Sequence, residues 1–307
     1  MTGVLLVNMG GARTEKEMKS FLSRMFKDPR ILPFGRTIRN MLSFVISNSR
    51  YKKSWKKYQL IGGTPIIKAT GKTVQSLQAE LEPHYMVKMA FSYSSPTIED
   101  SLLYFKDEGI NEISVIPLYP QSSFSTSGSV MDDIQRVMKR VETLDIHFEK
   151  RFYQHDGFVA FWTNLITAHI QLHHLKHPFL LFSAHSIPEY LVRNGDTYPR
   201  EIRESGTLIS QKLGLDYEVA YQSGMRSGKW VGPNVNTCLK NLAKAGKKEI
   251  VIIPISFVNE NLETLYDLDK VIVPFAKTIP GIVHVSRVLI PEADTTFIRL
   301  LADIIRK

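Results

Sequence analysis

Seven short apolar runs rich in β-branched residues recur along this 307-residue chain, and they constrain its fold more than any other feature. They are VLLVN (4–8), YMVKMAF (85–91), EISVIPLY (112–119), FLLFS (179–183), YEVAY (217–221), EIVIIPISF (249–257) and GIVHVSRVL (281–289). Most are continuously apolar rather than alternating, so as strands they need cover on both faces, as in parallel sheets. The segments between them, such as TVQSLQAEL, TIEDSLLYFKDEG, FVAFWTNLITAHIQLHHL and VNTCLKNLAKAG, carry apolar residues at helical spacing. Strands alternating with helices define the α/β class.

An internal echo sets the domain count. GINEISVIPLY (109–119) lines up with GKKEIVIIPIS (246–256), with Gly, Glu, Ile and Pro recurring at a constant offset of 137 residues. LLVN (5–8) similarly resembles LLFS (180–183). With 43% hydrophobic residues the chain can fill two cores. The expected architecture is two similar Rossmann-like halves, each a parallel sheet flanked by helices, with a cleft between them. The first half is expected over 1–150 and the second over 151–290, with a last helix over 291–307 packing back on either half.

The chain opens on MTGVLLVNMGG with no basic leader, so no signal peptide is expected. No apolar stretch reaches the roughly 18 residues that span a bilayer. The lone Cys238 can form neither an intrachain disulfide nor a cysteine-ligated iron–sulfur cluster, which fits a reducing compartment. A cytoplasmic location is expected, peripheral to the inner face of the membrane if the charge pattern acts there. The formal charge of +9 is concentrated: from Arg30 to Ala79 there is no Asp or Glu, against ten Lys and Arg. Within that stretch IRNMLSFVISNSRYKKSWKKY interleaves apolar and basic residues. This suits an anionic ligand, an anionic membrane touched through residues 30–57, or a plain solvated helix face. Its aromatics are not spaced as a stacking platform, so nucleic acid is not an expected partner. Neither GxGxxG nor the P-loop pattern is present, so nothing points to a nucleotide.

In parallel α/β sheets ligands bind beyond the carboxyl ends of the strands. FLLFSAHSIP (179–188) puts His185 just past such an end, and FVNENLETLYDLD (257–269) brings Glu260, Glu263, Asp267 and Asp269 past another in the same half. On a helix Glu263 and Asp267 share a face. An imidazole and a carboxylate facing each other suit proton transfer or transient handling of a divalent metal such as iron(II). Two protein ligands make a poor permanent metal site but a workable transient one. His169 and His173, four apart with His174 and His177 after them, read as a partly exposed helix face, having no acidic or cysteine ligand close by in sequence. The SFSTSGS segment beginning at Ser123 suits either anion binding beside a helix start or a plain capping turn.

Seven motifs in order carry a resemblance: LLVNMGGA at the start, FKDPRI (26–31), IGGTPI (61–66), PLYPQSSFSTSGS (117–129), SAHSIP with NGDTYP (194–199), YQS (221–223) and ETLYDLD (263–269). The chain resembles the ferrochelatases nearly end to end. The resemblance implies a chelatase-type fold and insertion of Fe2+ into a porphyrin, protoporphyrin IX in first place, with release of two protons. It implies Fe2+ as a substrate, with no permanently bound cofactor. It also implies His185 and Glu263 as the catalytic and metal-handling pair, and Met9, Thr64, Tyr93, Ser123 and Trp230 as porphyrin contacts. The competing expectations are a chelatase for coproporphyrin III or sirohydrochlorin, and a non-catalytic haem or porphyrin carrier. Four departures stand out: Asn261 where many relatives have histidine, YQSGMRSGKW with Arg226 in place of the usual arginine and Gly-Pro, Val271 where an acidic ladder would continue, and Arg13 near a tyrosine used by some relatives.

Overall fold

A computed structural model gives the structure of the chain and describes residues 1–141, 143–224 and 228–307. The seven expected strands, joined by an eighth, form two sheets of four strands each, all parallel. The chain divides into one unit of Met1–Arg151 with Glu292–Lys307, and a second of Phe152–Pro291.

In the first unit β1 (Thr2–Asn8), β2 (Tyr85–Phe91), β3 (Glu112–Pro117) and β4 (Asp145–Phe148) lie in the order β2-β1-β3-β4. Helices α1 (Glu15–Phe26), α2 (Arg36–Leu60) and α3 (Pro65–Leu81) join β1 to β2. Helices α4 (Ile98–Asp107) and α5 (Ser127–Met138) make the next two crossovers. In the second unit α6 (Asp156–Leu172) precedes β5 (Pro178–His185), followed by α7 (Glu189–Arg193), α8 (Tyr198–Leu213), β6 (Tyr217–Gln222), α9 (Val235–Lys244) and β7 (Glu249–Ile253). A π-helix (Glu263–Ile272) running into α10 (Val273–Lys277) leads to β8 (His284–Arg287), and the sheet order is β6-β5-β7-β8.

The two orders are the same arrangement used twice, and the echoed segments are β3 and β7. Leu5 pairs with Val115 and Leu181 with Ile252, the two partners being 137 residues apart. The register therefore matches Leu5 to Leu181, one residue off the alignment of LLVN with LLFS. One consequence is that Met9, directly after β1, and His185, which closes β5, occupy equivalent places. The fourth strand of the first sheet was not among the seven apolar runs. DIHF is four residues long with two of them exposed, as an edge strand can be, and so lacks the apolar run that marks a buried one.

Both cores follow from the apolar runs. Leu5, Val7, Ile113 and Val115 pack with Leu102 and Phe105 of α4 and Val130 and Ile134 of α5. Leu181, Ile250 and Ile252 pack with Leu239 of α9 and Leu268 and Ile272 of the π-helix. The final helix, α11 (Thr295–Ile305), packs on α3 of the first unit, where Lys72 pairs with Glu292 and Arg306 donates to the Glu80 carbonyl.

The histidines at the end of α6 form a partly exposed face with one buried member. His173 is exposed, but His169 is buried, its ring 4.4 Å from that of His173, which in turn lies 5.1 Å from the ring of His284 on β8. Nε2 of His169 and Nε2 of His284 each lie 2.7 Å from the Ser286 hydroxyl. Burial, then the neighbouring His173, His284 and Arg287, push the His169 pKa down to about 4. The folded state thus holds this proton less tightly than the unfolded chain, so the stability is complete above the ordinary pKa of about 6.5 and is lost as pH falls towards 4. Thermal melts between about pH 7 and about pH 4.5 should show a fall in Tm that is shallower in His169→Gln. Equal slopes would remove His169 from the acid response.

Candidate functional site

The second unit brings together the ionisable candidates. Successive strand residues point to opposite faces, so Leu181, Ser183 and His185 share one face of β5. Leu181 lies in the same core cluster as Leu268 and Ile272, so this is the face that the π-helix covers. The π-helix lies in a crossover between the parallel strands β7 and β8 and runs back against them, which puts its first residue, Glu263, at the carboxyl end of the sheet. His185 and Glu263 therefore emerge at the same end and on the same face of one sheet, and both are half-buried.

His185 is oriented by its neighbours. Its Nδ1 lies 2.7 Å from the Ser186 carbonyl oxygen, and a carbonyl can only accept, so Nδ1 carries the proton. Nε2 is left with the lone pair, available to a proton or a metal ion. Tyr198 is buried beside this strand end. Burial drives its phenol pKa well up, outweighing the opposing influence of Ser256 and the His185 backbone, so it stays neutral.

The four carboxylates after β7 have different duties. Arg287 on β8 has a side chain only 1% exposed. Its Nε and Nη2 donate to the two oxygens of Asp269, both at 2.7 Å, and its Nη1 donates to Glu260 at 2.8 Å. Glu260 also accepts from the Ile290 backbone N–H at 2.9 Å and from the Thr264 hydroxyl. Burial opposes the charge on Arg287, but the Asp269 hydrogen bonds and Glu260 outweigh it and raise its pKa. Glu260 and Asp269 are thereby committed to one guanidinium that ties the start and middle of the π-helix to β8. Asp267 accepts a hydrogen bond from the Ser223 hydroxyl at 2.9 Å. Glu263, Asp267 and Val271 form a stripe beside the buried stripe of Thr264, Leu268 and Ile272, and Val271 is exposed.

Asn261, standing where many relatives have histidine, starts this helix. Its Oδ1 accepts from the Thr264 N–H at 3.0 Å while its own N–H donates to the Thr264 hydroxyl at 2.9 Å, a reciprocal cap. Its side-chain oxygen is thus occupied, and a proton relay through this position has only the amide nitrogen or water to use.

Trp230 is half-buried and placed by the segment after His185: it bridges Pro188, and Val231 N–H donates to Ile187 O at 3.0 Å. Trp230 lies against Gly224, where an added Cβ would sit 3.3 Å from the Trp230 Cβ and 3.5 Å from its ring. Arg226, the expected substitute for the family arginine, lies outside the described residues.

The remaining candidates belong to the first unit. Tyr93 N–H donates to Met9 O at 3.2 Å, joining the ends of β2 and β1. Thr64 donates to Ala12 O and presses on Gly11, where any Cβ would fall 2.4 Å from the Thr64 methyl, so only glycine fits. Met9, Thr64 and Tyr93 are thus brought together. Met9 is half-buried, whereas Tyr93 is 5% exposed, its ring edge-on to Phe21 and its hydroxyl donated to Asp28 at 2.7 Å. Ser123 is 2% exposed and sits in the turn that opens α5, its hydroxyl accepting from Ser125 N–H and its carbonyl from the N–H groups of Thr126 and Gly128. Sequence reasoning missed Ser223 and Arg287. A lone arginine in an apolar edge run was a readable sign of a buried carboxylate partner; Ser223 stood within the YQS motif, but nothing in that motif points to Asp267.

Among solved structures the chain resembles SirB from Bacillus subtilis with Fe3+, at TM-score 0.59 and 12% identity over 99% of this chain and 95% of that one. It also resembles CbiX, described as the terminal enzyme for biosynthesis of siroheme in denitrifying bacteria, at TM-score 0.53 and 12% identity over 100% and 98%. At these identities the likeness shows the fold alone, and that fold is the two-domain chelatase fold. The sequence itself goes further. The ferrochelatase family model matches residues 1–307. Ferrochelatases of Aquifex aeolicus and Geotalea uraniireducens are 34% and 32% identical, over 99% of this chain and 98% of the first and over 100% and 97% with the second. The chain belongs to the ferrochelatase family, and is a metal chelatase of the lyase class that inserts Fe2+ into a porphyrin.

The Arg287 network makes a measurable demand. Arg287→Met strands two carboxylates and should cost about 3–5 kcal/mol in urea unfolding, whereas adding Glu260→Gln and Asp269→Asn should restore much of it. A loss under about 1 kcal/mol would show that the network does not hold the π-helix.

Proposed function

We propose that the chain inserts Fe2+ into protoporphyrin IX, with His185 and Glu263 as the groups that handle protons and metal. The observation that carries this reading is the Nδ1 contact of His185 with the Ser186 carbonyl, which in the neutral ring puts the lone pair on Nε2, at the same sheet end and face as Glu263. The overall reaction takes one free-base porphyrin and one Fe2+ and returns iron porphyrin and two protons. Nε2 of His185 accepts a pyrrole proton, and the Glu263 carboxylate leads protons away as the ion enters. Metal is substrate here, and the balance calls for no resident cofactor. Binding energy from the macrocycle edge, where Met9, Thr64, Tyr93, Ser123 and Trp230 are assigned by position, is spent on distorting the ring, a term of about 1–5 kcal/mol in enzymes generally.

Protoporphyrin is assigned over sirohydrochlorin because the latter carries many more carboxylates and calls for several cationic partners. Competition between protoporphyrin IX and coproporphyrin III tests the finer choice; preferential turnover of coproporphyrin would replace it. His185→Ala and Glu263→Gln should each lower Fe2+ insertion, followed anaerobically by porphyrin absorbance, at least about a hundredfold, the usual worth of a positioned acid–base group, with porphyrin binding kept. Retained turnover in His185→Ala would remove it from the mechanism, and stoichiometric binding without turnover in the unmodified protein would make it a carrier.

Residues 30–57 are assigned to an anionic membrane surface, where an apolar porphyrin partitions. Support comes from α2, a 25-residue helix whose only buried residues are Ser43, Ser47 and Tyr58. It meets α1 through small groups, the Ser43 hydroxyl donating to Ser23 O at 2.8 Å. Its apolar side chains point the other way: Ile38, Met41, Phe44 and Val45 are each more than half exposed, beside a segment with no acidic residue. No helix among the described residues is long and apolar enough to cross a membrane, so such contact is peripheral in kind. Vesicles of phosphatidylserine should co-sediment the protein at low salt, with binding weakened by salt and by Met41→Glu/Phe44→Glu. Equal binding by that variant would reject α2 as the contact.

A further inference from the structure

From Val219 to Lys248, and again from Lys270 to Pro291, the second unit has no Asp or Glu. Each acid-free stretch supplies one wall of a groove of about 470 Å³ between α9 and the turn that follows α10. Lys240, Ala243 and Lys244 stand on one wall, and Phe275 and Ile279 on the other. The Lys240 Nζ lies 5.5 Å from the centroid of the Phe275 ring, and the turn reaches α9 at Gly281, where an added Cβ would lie 3.7 Å from the Ala243 carbonyl oxygen. Both lysines are exposed, whereas Phe275 and Ile279 are half-buried, so the groove is basic at its rim and apolar within. The carboxylates at this end of the unit are engaged elsewhere: Asp216 accepts from Lys247 at 2.9 Å, and Glu249 accepts from the Lys176 and His177 backbone N–H groups at 2.9 and 2.6 Å. Among the described residues no carboxylate lines the groove or pairs with Lys240 or Lys244.

We infer that this groove docks an acidic amphipathic segment of a partner protein, with an apolar side chain seated on Phe275 and Ile279 and carboxylates met by Lys240 and Lys244. Charge complementarity sets the sign of the partner: unpaired lysines on walls without acids repel a basic segment and draw an acidic one. Concavity sets its kind. A bilayer takes side chains that protrude, as those of α2 do, whereas Phe275 and Ile279 are recessed in a groove, the form that receives a short helix or strand. α9 and α10 each belong to a crossover between parallel strands and run from carboxyl strand ends back to amino ends. Their last turns, which line the groove, therefore lie at the opposite end of the sheet from His185. A segment bound there leaves the carboxyl end of the sheet open.

The test titrates the full chain into a fluorescein-labelled helical peptide that has leucines along one face and glutamates on both flanks, followed by anisotropy. Binding should have a Kd of about 10–100 μM at low salt, as suits a small transient contact, and should weaken as salt rises. Replacing the probe's glutamates with lysine, or its leucines with serine, should each cost at least about tenfold, because the groove reads charge and apolar contact together. Lys240→Glu/Lys244→Glu and Phe275→Ala should each cost as much from the protein side. Both lysines are exposed, so the double variant keeps the fold and decides the matter if Phe275→Ala does not fold. Met41→Glu/Phe44→Glu, which alters α2 instead, should bind the probe within about twofold of the unmodified chain. Full binding by Lys240→Glu/Lys244→Glu, equal binding of the lysine or serine probe, or a loss confined to the α2 variant would overturn the inference. So would phosphatidylserine vesicles that sediment Met41→Glu/Phe44→Glu only while Lys240 and Lys244 are intact, since the groove would then be a lipid contact.

Discussion

A buried guanidinium fixes the second unit of this protein. Taking Arg287 out of water costs several kcal/mol, and the chain meets that cost with two carboxylates and the Val288 carbonyl rather than with one partner. Because the carboxylates come from Glu260, just ahead of the π-helix, and Asp269, within it, the same contacts set where that helix lies against β8. A helix bonded from i to i+5 is rarely stable for ten residues on its own. Here its ends are held from outside: Arg287 grips one side, Leu268 and Ile272 enter the core, and Asn261 with Thr264 caps the start. With Glu260 and Asp269 so used, Glu263 and Asp267 are left on the stripe that adjoins the strand end of His185.

The two sheets place different side chains at equivalent strand ends. Equivalent registers set Met9 against His185 and Tyr93 against Ser223, while Ser127 opens α5 where Glu263 opens the π-helix. Both Tyr93 and Ser223 donate a hydroxyl to an aspartate on another element, Asp28 and Asp267 respectively. At the other matched places the first half has thioether and hydroxyl groups, and the second has imidazole and carboxylate. The first set suits gripping a flat apolar ring, and the second suits exchanging protons for a metal ion. The repeat supplies strand ends, and the side chain at each end decides what that end can do.

Much of this was written in the order of residues. A strand covered on both faces must be continuously apolar, so VLLVN, FLLFS and EIVII announced themselves, and the echo of β3 in β7 announced a repeated arrangement. That a buried strand closes on an ionisable residue, His185, and that an acidic segment holding Glu263 follows β7 could be read from the residues themselves. DIHF was not legible, since an edge strand four residues long needs no apolar run. Nor was the helix form of 263–272, because acids and leucines four apart suit an α-helix as well as a π-helix. Which histidine of the partly exposed face is buried was not legible, since the hydroxyl that meets His169, on Ser286, is 117 positions away.

Sequence alone settled the class of fold, the repetition and the chemical character of the groups at the strand ends, because those depend on local hydrophobic pattern and on residue identity. Only tertiary structure decided which proton His185 carries, which carboxylates Arg287 consumes, and that Ser223 reaches Asp267 across β5. Each of those outcomes depends on a distance between residues far apart in the chain or on a backbone angle, and neither quantity has a signature in the order of amino acids.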